Sequence, residues 1–339
     1  MDKKITRVVS GITPSGKSFH IGNYFGALKQ HIELQNSIPE TYYFIADLHA
    51  LTTVQDLKTL ENNIYNVVLD YLALGLDPEK AVFFRQSDVV EHSQLAVILG
   101  NYISYGHMKR MHAFKDKLEK GFNVDDINMG LFNYPILMAA DILLYKPDAV
   151  PVGEDQRQHI EITRDIAENF NKKYGKKVFP LPEPLISKTT GKIVGTDGQR
   201  KMSKSLGNTI GIFEPEDVIK KQIMGAYTDP SRRKASDPGH LEGNTVFIYH
   251  DLLNNDKAEV EDLKQRYVQG MVGDVEVKES LIAAHKRLFR PFREQREKLA
   301  KNLDFVKVVM HQGALKAKNL AAQTLEVVNK TIGIKNKLN

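Results

Sequence analysis

The 339-residue chain contains no cysteine. Without a thiol it has no disulfide, no thiolate zinc site, no iron–sulfur cluster and no cysteine nucleophile. Its first residues lack the long apolar segment of a signal peptide, and no run of 18 apolar residues follows them. We therefore expect a cytoplasmic protein without a membrane partner.

Charge is distributed unevenly along the chain, although its sum is small. Residues 286–339 contain 13 basic and 4 acidic residues, a net charge of +9; the whole chain carries +5, so residues 1–285 carry −4. A basic segment after an acidic body favours a polyanionic partner for one part of the chain. A solvent-exposed helical face rich in lysine explains the same charges equally well.

The spacing of apolar residues predicts an α/β fold. Four apolar runs predict strands at 5–12, 41–46, 81–86 and 149–153. Helical spacing predicts helices at 22–35, 56–75, 91–118, 133–145 and 155–170, the last with Asp155 near its start and Gln158 as a capping residue. This alternation predicts a doubly wound parallel sheet up to about residue 205.

The rest of the chain has a different pattern. Segment 187–211 is rich in Gly, Ser, Thr and Lys, which predicts a mobile loop, whereas 214–225 and 256–328 are mainly helical in pattern. Two domains are expected for this length, because a domain takes roughly 100 to 200 residues.

The first glycine-rich turn fits two kinds of phosphate site. Residues 11–18 match the GxxxxGK[ST] loop of P-loop NTPases after a predicted strand, and Asp47 at the end of the next strand would be its magnesium partner. The sequence His20-Ile21-Gly22-Asn23 competes for the same turn. It matches the His-x-Gly-His/Asn signature of class I aminoacyl-tRNA synthetases and related nucleotidylyltransferases. Either match alone is weak.

A second motif decides between them. Residues 201–205 read KMSKS, about 180 residues after HIGN and inside the glycine-rich loop. Two lysines on a flexible loop can move onto a triphosphate, where charge develops on the α-phosphate and pyrophosphate oxygens. The alternative, a solvated basic loop, does not explain why both motifs occur in this order in an α/β chain.

With both motifs, the sequence resembles the bacterial tryptophanyl-tRNA synthetase family nearly from end to end. The two signatures are common to class I synthetases, whereas the middle blocks point to tryptophan. The resemblance is carried by SGITPSGKSFHIGNYFGAL (10–28), FIADLHALT (44–52), YPILMAADILLY (134–145), VPVGEDQRQHIEITRDIAENF (150–170), RKMSKSLGNTI (200–210) and GALKAKNLAAQTLEVV (313–328).

The resemblance implies a Rossmann-type catalytic domain at 1–205 and a smaller all-helical, anticodon-binding domain at 206–304. A C-terminal helix from about 305 to 339 would pack back on the catalytic domain, and the protein would be a homodimer. The implied activity joins L-tryptophan to ATP as an adenylate, releases pyrophosphate and transfers the amino acid to tRNA(Trp), with Mg²⁺. No metal ligand in the chain is evident.

The resemblance also assigns site residues. His20, Lys201 and Lys204 would be catalytic, and Asp141 would accept the indole N–H. A buried acceptor for the single indole donor can reject analogues by ~10⁴–10⁵. ATP would be bound by Thr13, Pro14, Ser15, Gly22, Asn23, Gly153, Glu154, Asp155, Lys201, Met202, Ser203, Lys204 and Ser205. Tryptophan would also contact Tyr134, Met138, Val152, His49 and Gln156.

Two positions depart from the family pattern, and they leave the residues that bind the substrate ammonium open. Many members have Gln where Thr13 stands, and some have Gln where Ala113 stands. For the basic helical residues Lys286, Arg287, Arg290, Arg293 and Arg296, contacts with tRNA phosphates and a solvated face remain equally good hypotheses. A P-loop NTPase and an inactive, RNA-binding paralogue remain as alternatives for the whole chain.

Overall fold

A computed structural model describes residues 4–14, 16, 18–111, 114–115, 119, 121, 123–186 and 193–334. Its sheet has five parallel strands in the order β3-β2-β1-β4-β5. The chain order reverses between β1 and β4, as in a doubly wound Rossmann-type fold, so the predicted fold class is confirmed. The strands are β1 Arg7–Ile12, β2 Glu40–Ile45, β3 Ala81–Arg85, β4 Ala149–Pro151 and β5 Glu183–Leu185.

Helices cover both faces of the sheet and make up the C-terminal part of the chain. The first two helices are joined through a π-helical turn at Tyr24–Leu28. The α-helices are α1 Ile21–Asn23, α2 Lys29–Leu34, α3 Asp47–Ala50, α4 Leu57–Ala73, α5 Glu91–Leu99, α6 Tyr105–Met108, α7 Met129–Leu143, α8 Arg157–Tyr174, α9 Glu216–Met224, α10 Thr245–Leu253, α11 Lys257–Val268, α12 Asp274–Ala300 and α13 Leu303–Ile332.

The sheet is buried on both faces, which gives the molecule two hydrophobic clusters. Along β2, Tyr43 and Ile45 belong to one cluster, whereas Tyr42 and Phe44 belong to the other. Successive side chains of a strand point to opposite faces, and parallel strands covered on both sides read as continuous apolar runs. This is why the strands were visible in the sequence.

The two long C-terminal helices return to the sheet domain. Helix α12 packs against α4, and α13 packs against the edge strand β3 and against α5. A helix over an edge strand covers its unpaired backbone groups. The domain boundaries at 205 and 304 stay predictions. No helix in the described part of the chain is long and apolar enough to cross a membrane.

Several element boundaries differ from the predicted ones. The helix predicted at 91–118 ends at Leu99 and is followed by a 3₁₀ turn and the short α6. The helix predicted to start at Asp155 starts at Arg157, and Gln156 rather than Gln158 is its N-cap. Strand β5 was not predicted, because it has three residues and contains Pro184. Residues 187–192 of the predicted mobile loop lie outside the described residues.

Candidate active site

A cavity of about 780 Å³ opens at the carboxyl ends of β1 and β4. This is the point where the strand order reverses, and in open α/β sheets ligands bind there. Residues 11–13 line it from β1, residues 151–153 from β4, and Gly22 and Asn23 from α1. The sheet topology therefore places both predicted ATP-binding segments on one cavity.

His20 lies at the start of α1 and is almost fully buried. Its backbone pairs with Gly211, and its N–H donates to Asn23 Oδ1 at 3.1 Å. Burial and the positive charges of Lys204 and Lys201 lower the pKa of His20 to about 4. The ring is therefore neutral at pH 7, and its Nδ1 has no hydrogen-bond partner in the described part of the chain.

The KMSKS residues lie against the same glycine turn. A Cβ placed on Gly16 would be 2.8 Å from Lys204 Nζ, and one on Gly22 would be 2.9 Å from the His20 ring and 3.2 Å from Met202 Cβ. The absence of a Cβ at these two glycines lets the side chains approach the backbone this closely. The sequence-distant motifs thus meet at one place, and both line the cavity.

Asn208, which the sequence analysis did not single out, holds the KMSKS segment in shape. It is buried, and its Oδ1 accepts the Ser203 N–H at 2.7 Å. Its Nδ2 donates to Asp197 Oδ2 at 3.0 Å and to the Lys201 carbonyl at 3.2 Å. Desolvation opposes ionisation of Asp197, but hydrogen bonds, first among them the Gln199 N–H, lower its pKa to about 2. The only sequence signal was the position of Asn208 just after KMSKS.

The other lysine of the motif faces an acidic residue across the cavity mouth. Lys201 Nζ lies 3.6 Å from Asp155 Oδ2, and both side chains are about half exposed. Glu154 also lines the cavity, but its carboxylate binds Arg157 at 2.6 and 3.0 Å. Asp155 is therefore the carboxylate of this pair that faces the lysine.

Asp141 lies at the apolar end of the cavity and is 1% exposed. Its carboxylate accepts His49 Nε2 at 2.8 Å, His92 Nδ1 at 2.6 Å and Gln86 Nε2 at 2.8 and 2.9 Å. Burial alone raises the pKa of Asp141, but the His49 hydrogen bond and the contacts of His92 outweigh it and bring the pKa to about 2. The cavity thus contains an ionised acceptor held by three side chains. His92 and Gln86 were not predicted, because neither lies in a sequence block that carries the resemblance.

The predicted pocket walls line the same cavity as this carboxylate. Tyr134 contacts the His49 ring edge to face, with centroids 6.1 Å apart, and its hydroxyl bonds His159 Nε2 at 2.5 Å. Burial raises the pKa of Tyr134 to about 12, so its hydroxyl stays protonated. The residues of the predicted tryptophan set that line the cavity are His49, Tyr134, Met138, Asp141, Val152 and Gln156.

Comparison with known proteins shows which family the chain resembles. The family model for class I tRNA synthetases (W and Y) matches residues 1–290. The chain is 45% identical to the tryptophan–tRNA ligase of Fusobacterium nucleatum, over 97% of this chain and 98% of that one. It is 44% identical to the tryptophan–tRNA ligase of Rhodopirellula baltica, over 97% of this chain and 100% of that one. A crystal structure of tryptophanyl-tRNA synthetase from Campylobacter jejuni, complexed with ADP and tryptophan, has a TM-score of 0.87 and 40% identity, and covers 96% of this chain and 99% of that one.

The chain belongs to the tryptophan–tRNA ligase family of class I tRNA synthetases. This confirms the family and the enzyme class that the two motifs predicted. The P-loop interpretation is wrong. Ser18 donates its hydroxyl to Asp70 at 2.9 Å, and Asp47 accepts the backbone N–H groups of Ser87 and Leu48 at 3.0 and 3.1 Å; neither residue lines the cavity.

Not every predicted site residue reaches the cavity of this family member. Thr13, Gly153, Ser203 and Ser205 line it, whereas Pro14 is buried beside it without lining it. Ser15, a predicted ATP-binding residue, and the atypical Ala113 lie outside the described residues.

The five basic residues predicted to form a helical face all lie on α12, and two of them bind groups of the protein. Arg293 donates to the Ile212 carbonyl at 2.9 Å, and Arg296 Nε lies 2.5 Å from the buried Asp70. Both side chains are partly buried and bind groups of the protein itself, and a contact of these residues with tRNA phosphates stays a prediction. The other three residues of the set pair with acidic side chains, Lys286 with Glu216, Arg287 with Glu259 and Arg290 with Glu294.

Proposed function

We propose that the chain activates L-tryptophan with ATP and transfers it to tRNA(Trp). The observation that carries this proposal is the layout of one cavity. His20 and Lys204 converge at its phosphate end, and the ionised Asp141 lies at its apolar end. A nucleotide fits the end with His20 and Lys204. An amino acid with a hydrogen-bond donor at the tip of its side chain fits the end with Asp141.

In the first step, the tryptophan carboxylate attacks the α-phosphorus of ATP. The new C–O–P link forms while the bond to the pyrophosphate oxygen breaks, which gives tryptophanyl-adenylate and pyrophosphate. A carboxylate is already ionised at pH 7, so no general base is needed. Catalysis then depends on positioning and on stabilising the developing negative charge. Lys201 and Lys204 supply positive charge, and the neutral His20 ring supplies a hydrogen-bond donor.

In the second step, a terminal hydroxyl of tRNA attacks the adenylate carbonyl carbon. The 2′-hydroxyl of the 3′-terminal adenosine is the nucleophile, as is usual for class I enzymes; the carbonyl–phosphate C–O bond breaks, and AMP leaves with the hydroxyl proton on its phosphate or released to water. During this transfer, the cavity holds the adenylate and keeps water away from it.

Each half of the substrate has its own set of residues in this proposal. Thr13, Gly22 and Asn23 bind adenosine and phosphate, and Gly153 and Asp155 lie toward the ribose. Residues 201–205 close over the pyrophosphate. At the other end, the indole N–H shares Asp141 Oδ2 with His49, whose ring lines the same wall.

Mg²⁺ is part of the proposal as a companion of ATP. In the described residues no group of three or more His, Asp or Glu is placed to hold a metal ion. Mg²⁺ keeps several waters and commonly binds substrate phosphates rather than an all-protein cage. We therefore assign it to the triphosphate and assign no step to it.

A homodimer and a cytoplasmic location complete the proposal. Exposed apolar side chains on α5, α6 and α7 support an interface: Val97 is 76% exposed, and Tyr105 and Met129 are each 64% exposed. A cytoplasmic location follows from the substrate, since translation consumes charged tRNA. The helical region at 206–304 is proposed to read the anticodon.

Exchange of labelled pyrophosphate into ATP tests the function. The wild-type chain should catalyse exchange that requires tryptophan, and charging of tRNA(Trp) should release AMP. Lys204→Ala should lose most of the exchange. Exchange without tryptophan dependence, or release of ADP and phosphate, would refute the proposal.

A further inference from the structure

Helix α12 contacts the segments that carry both signature motifs. His285 Nε2 donates to the Gly211 carbonyl at 2.9 Å, and Gly211 pairs with His20. Arg293 donates to the next carbonyl, that of Ile212, at 2.9 Å. Arg296, three residues further along, reaches the turn before HIGN through Asp70. One face of α12 thus supports the nucleotide end of the cavity.

Asp70 on α4 is the fully buried carboxylate at this contact. Its Oδ2 accepts the Ser18 hydroxyl and the Phe19 N–H, both at 2.9 Å, and Phe19 directly precedes His20. Its Oδ1 accepts Arg296 Nε at 2.5 Å, while Arg296 Nη2 donates to Asn66 Oδ1 at 2.6 Å. The carboxylate therefore joins the HIGN turn to two helices.

The charge of Asp70 also acts on a motif lysine. Burial raises the pKa of Asp70 above its usual value, and Arg296 opposes this as its counter-ion. Burial lowers the pKa of Lys204, and the negative charges of Asp70 and Glu214 oppose this. The Lys204 side chain lies against Gly16, two residues before Ser18. Asp70 therefore acts on two cations, and only Lys204 lines the cavity.

We propose that Arg296 is a positioning residue for adenylate formation: by neutralising Asp70, it leaves Lys204 available for the ATP phosphates. The inference rests on the proposed function. Removing one partner of a buried ion pair leaves the other charge uncompensated. Without Arg296, the Asp70 carboxylate would draw Lys204 away from the phosphates and would repel them directly.

The test compares Michaelis constants for ATP and tryptophan in the exchange assay. Arg296→Met should raise KM for ATP by about tenfold or more and leave KM for tryptophan unchanged. Arg296→Lys, which keeps the charge, should recover most of the ATP affinity. Arg290→Met is the matched control, because Arg290 lies on the same helix and pairs with Glu294 at the surface. It should behave as wild type.

Two double variants separate this role from a merely structural one. Asp70→Asn/Arg296→Met removes the buried charge and keeps an oxygen for the HIGN turn, so KM for ATP should return to within about threefold of wild type. In a Lys204→Ala background, Arg296→Met should raise KM for ATP little further, because the lysine that Asp70 would attract is absent.

Three results would overturn the inference: an unchanged KM for ATP in Arg296→Met, an equal rise for ATP and tryptophan, or the full rise in the Lys204→Ala background. If Arg296→Met does not fold, the Asp70→Asn/Arg296→Met variant decides, and a tenfold higher KM for ATP there overturns the inference. ATP affinity measured by calorimetry distinguishes a failure of the proposed function from a failure of the proposed role of Arg296. A wild-type chain without exchange refutes the function, whereas equal ATP affinities of wild type and Arg296→Met refute the role of Arg296.

Discussion

Asp141→Asn is the sharpest single perturbation of the tryptophan end of the site. Asp141 accepts four hydrogen-bond contacts from three side chains, and all three are donors. An asparagine side chain offers one oxygen and one NH₂, so at least one buried donor would face another donor. Such a mismatch costs about 1–3 kcal/mol, which is about fivefold to more than a hundredfold in rate.

The stability of the fold should respond as well, and with a defined pH dependence. The pKa of Asp141 falls from an ordinary 3.8 to about 2 in the folded protein, which corresponds to about 2 kcal/mol. Because the folded-state pKa is the lower one, this contribution is present above pH 4 and is lost as the pH falls from about 4 to 2. Asp141→Asn should therefore reduce the free energy of unfolding at pH 7 and flatten its dependence on pH in that window.

Pyrophosphate exchange at varied tryptophan and ATP, with urea unfolding alongside, checks both effects. We expect turnover with tryptophan to fall by about tenfold or more while KM for ATP changes little. Asp47→Asn is the control, since Asp47 is another buried carboxylate at a strand end but does not line the cavity. It should lose stability without a loss specific to tryptophan. Wild-type turnover and KM for tryptophan in Asp141→Asn would refute the assignment.

Three further predictions follow from other parts of the site. Asn208→Ala should lower kcat by about tenfold with KM for tryptophan unchanged, because the KMSKS segment loses its hydrogen-bonded support; equal kcat would contradict this. An NMR titration of His20 should show a midpoint at about 4 and no change between pH 6 and 8, whereas a midpoint near 6.5 would show that the ring is not buried beside the lysines. Val97→Asp should shift the protein toward a monomer in sedimentation experiments; an unchanged dimer would place the interface elsewhere.

The sheet was predictable because its strands are buried on both faces. β1, β2 and β3 each lie within one or two residues of their predicted positions, since runs such as ITRVVSGI and AVFFRQ read as strands without any partner. The break after Leu99 was not visible, because apolar spacing continues past it while the backbone changes to a 3₁₀ turn. Helix periodicity reports which side is apolar, not where the hydrogen bonds stop.

The motif residues of the site were predictable, and their supports were not. HIGN and KMSKS are motifs with a defined residue type at each position, so they can be found in the sequence. Asp70 and Arg296 lie 226 residues apart and belong to no motif. From the sequence alone, Arg296 was one of several basic residues on a helix. Its inward orientation depends on how α12 packs against α4, which is a tertiary property that local patterning does not encode.

The convergence of His20 and Lys204 on one nucleotide is the central claim, and a double-mutant cycle on kcat/KM for ATP tests it most directly. The variants are His20→Asn, Lys204→Ala and the two combined. Effects at distant, independent sites add within about 0.5 kcal/mol, whereas groups that act on the same reacting atoms do not. We predict a combined loss smaller than the product of the single losses, by about fivefold or more. Losses that multiply strictly would show that the two residues act at separate places and would contradict the account.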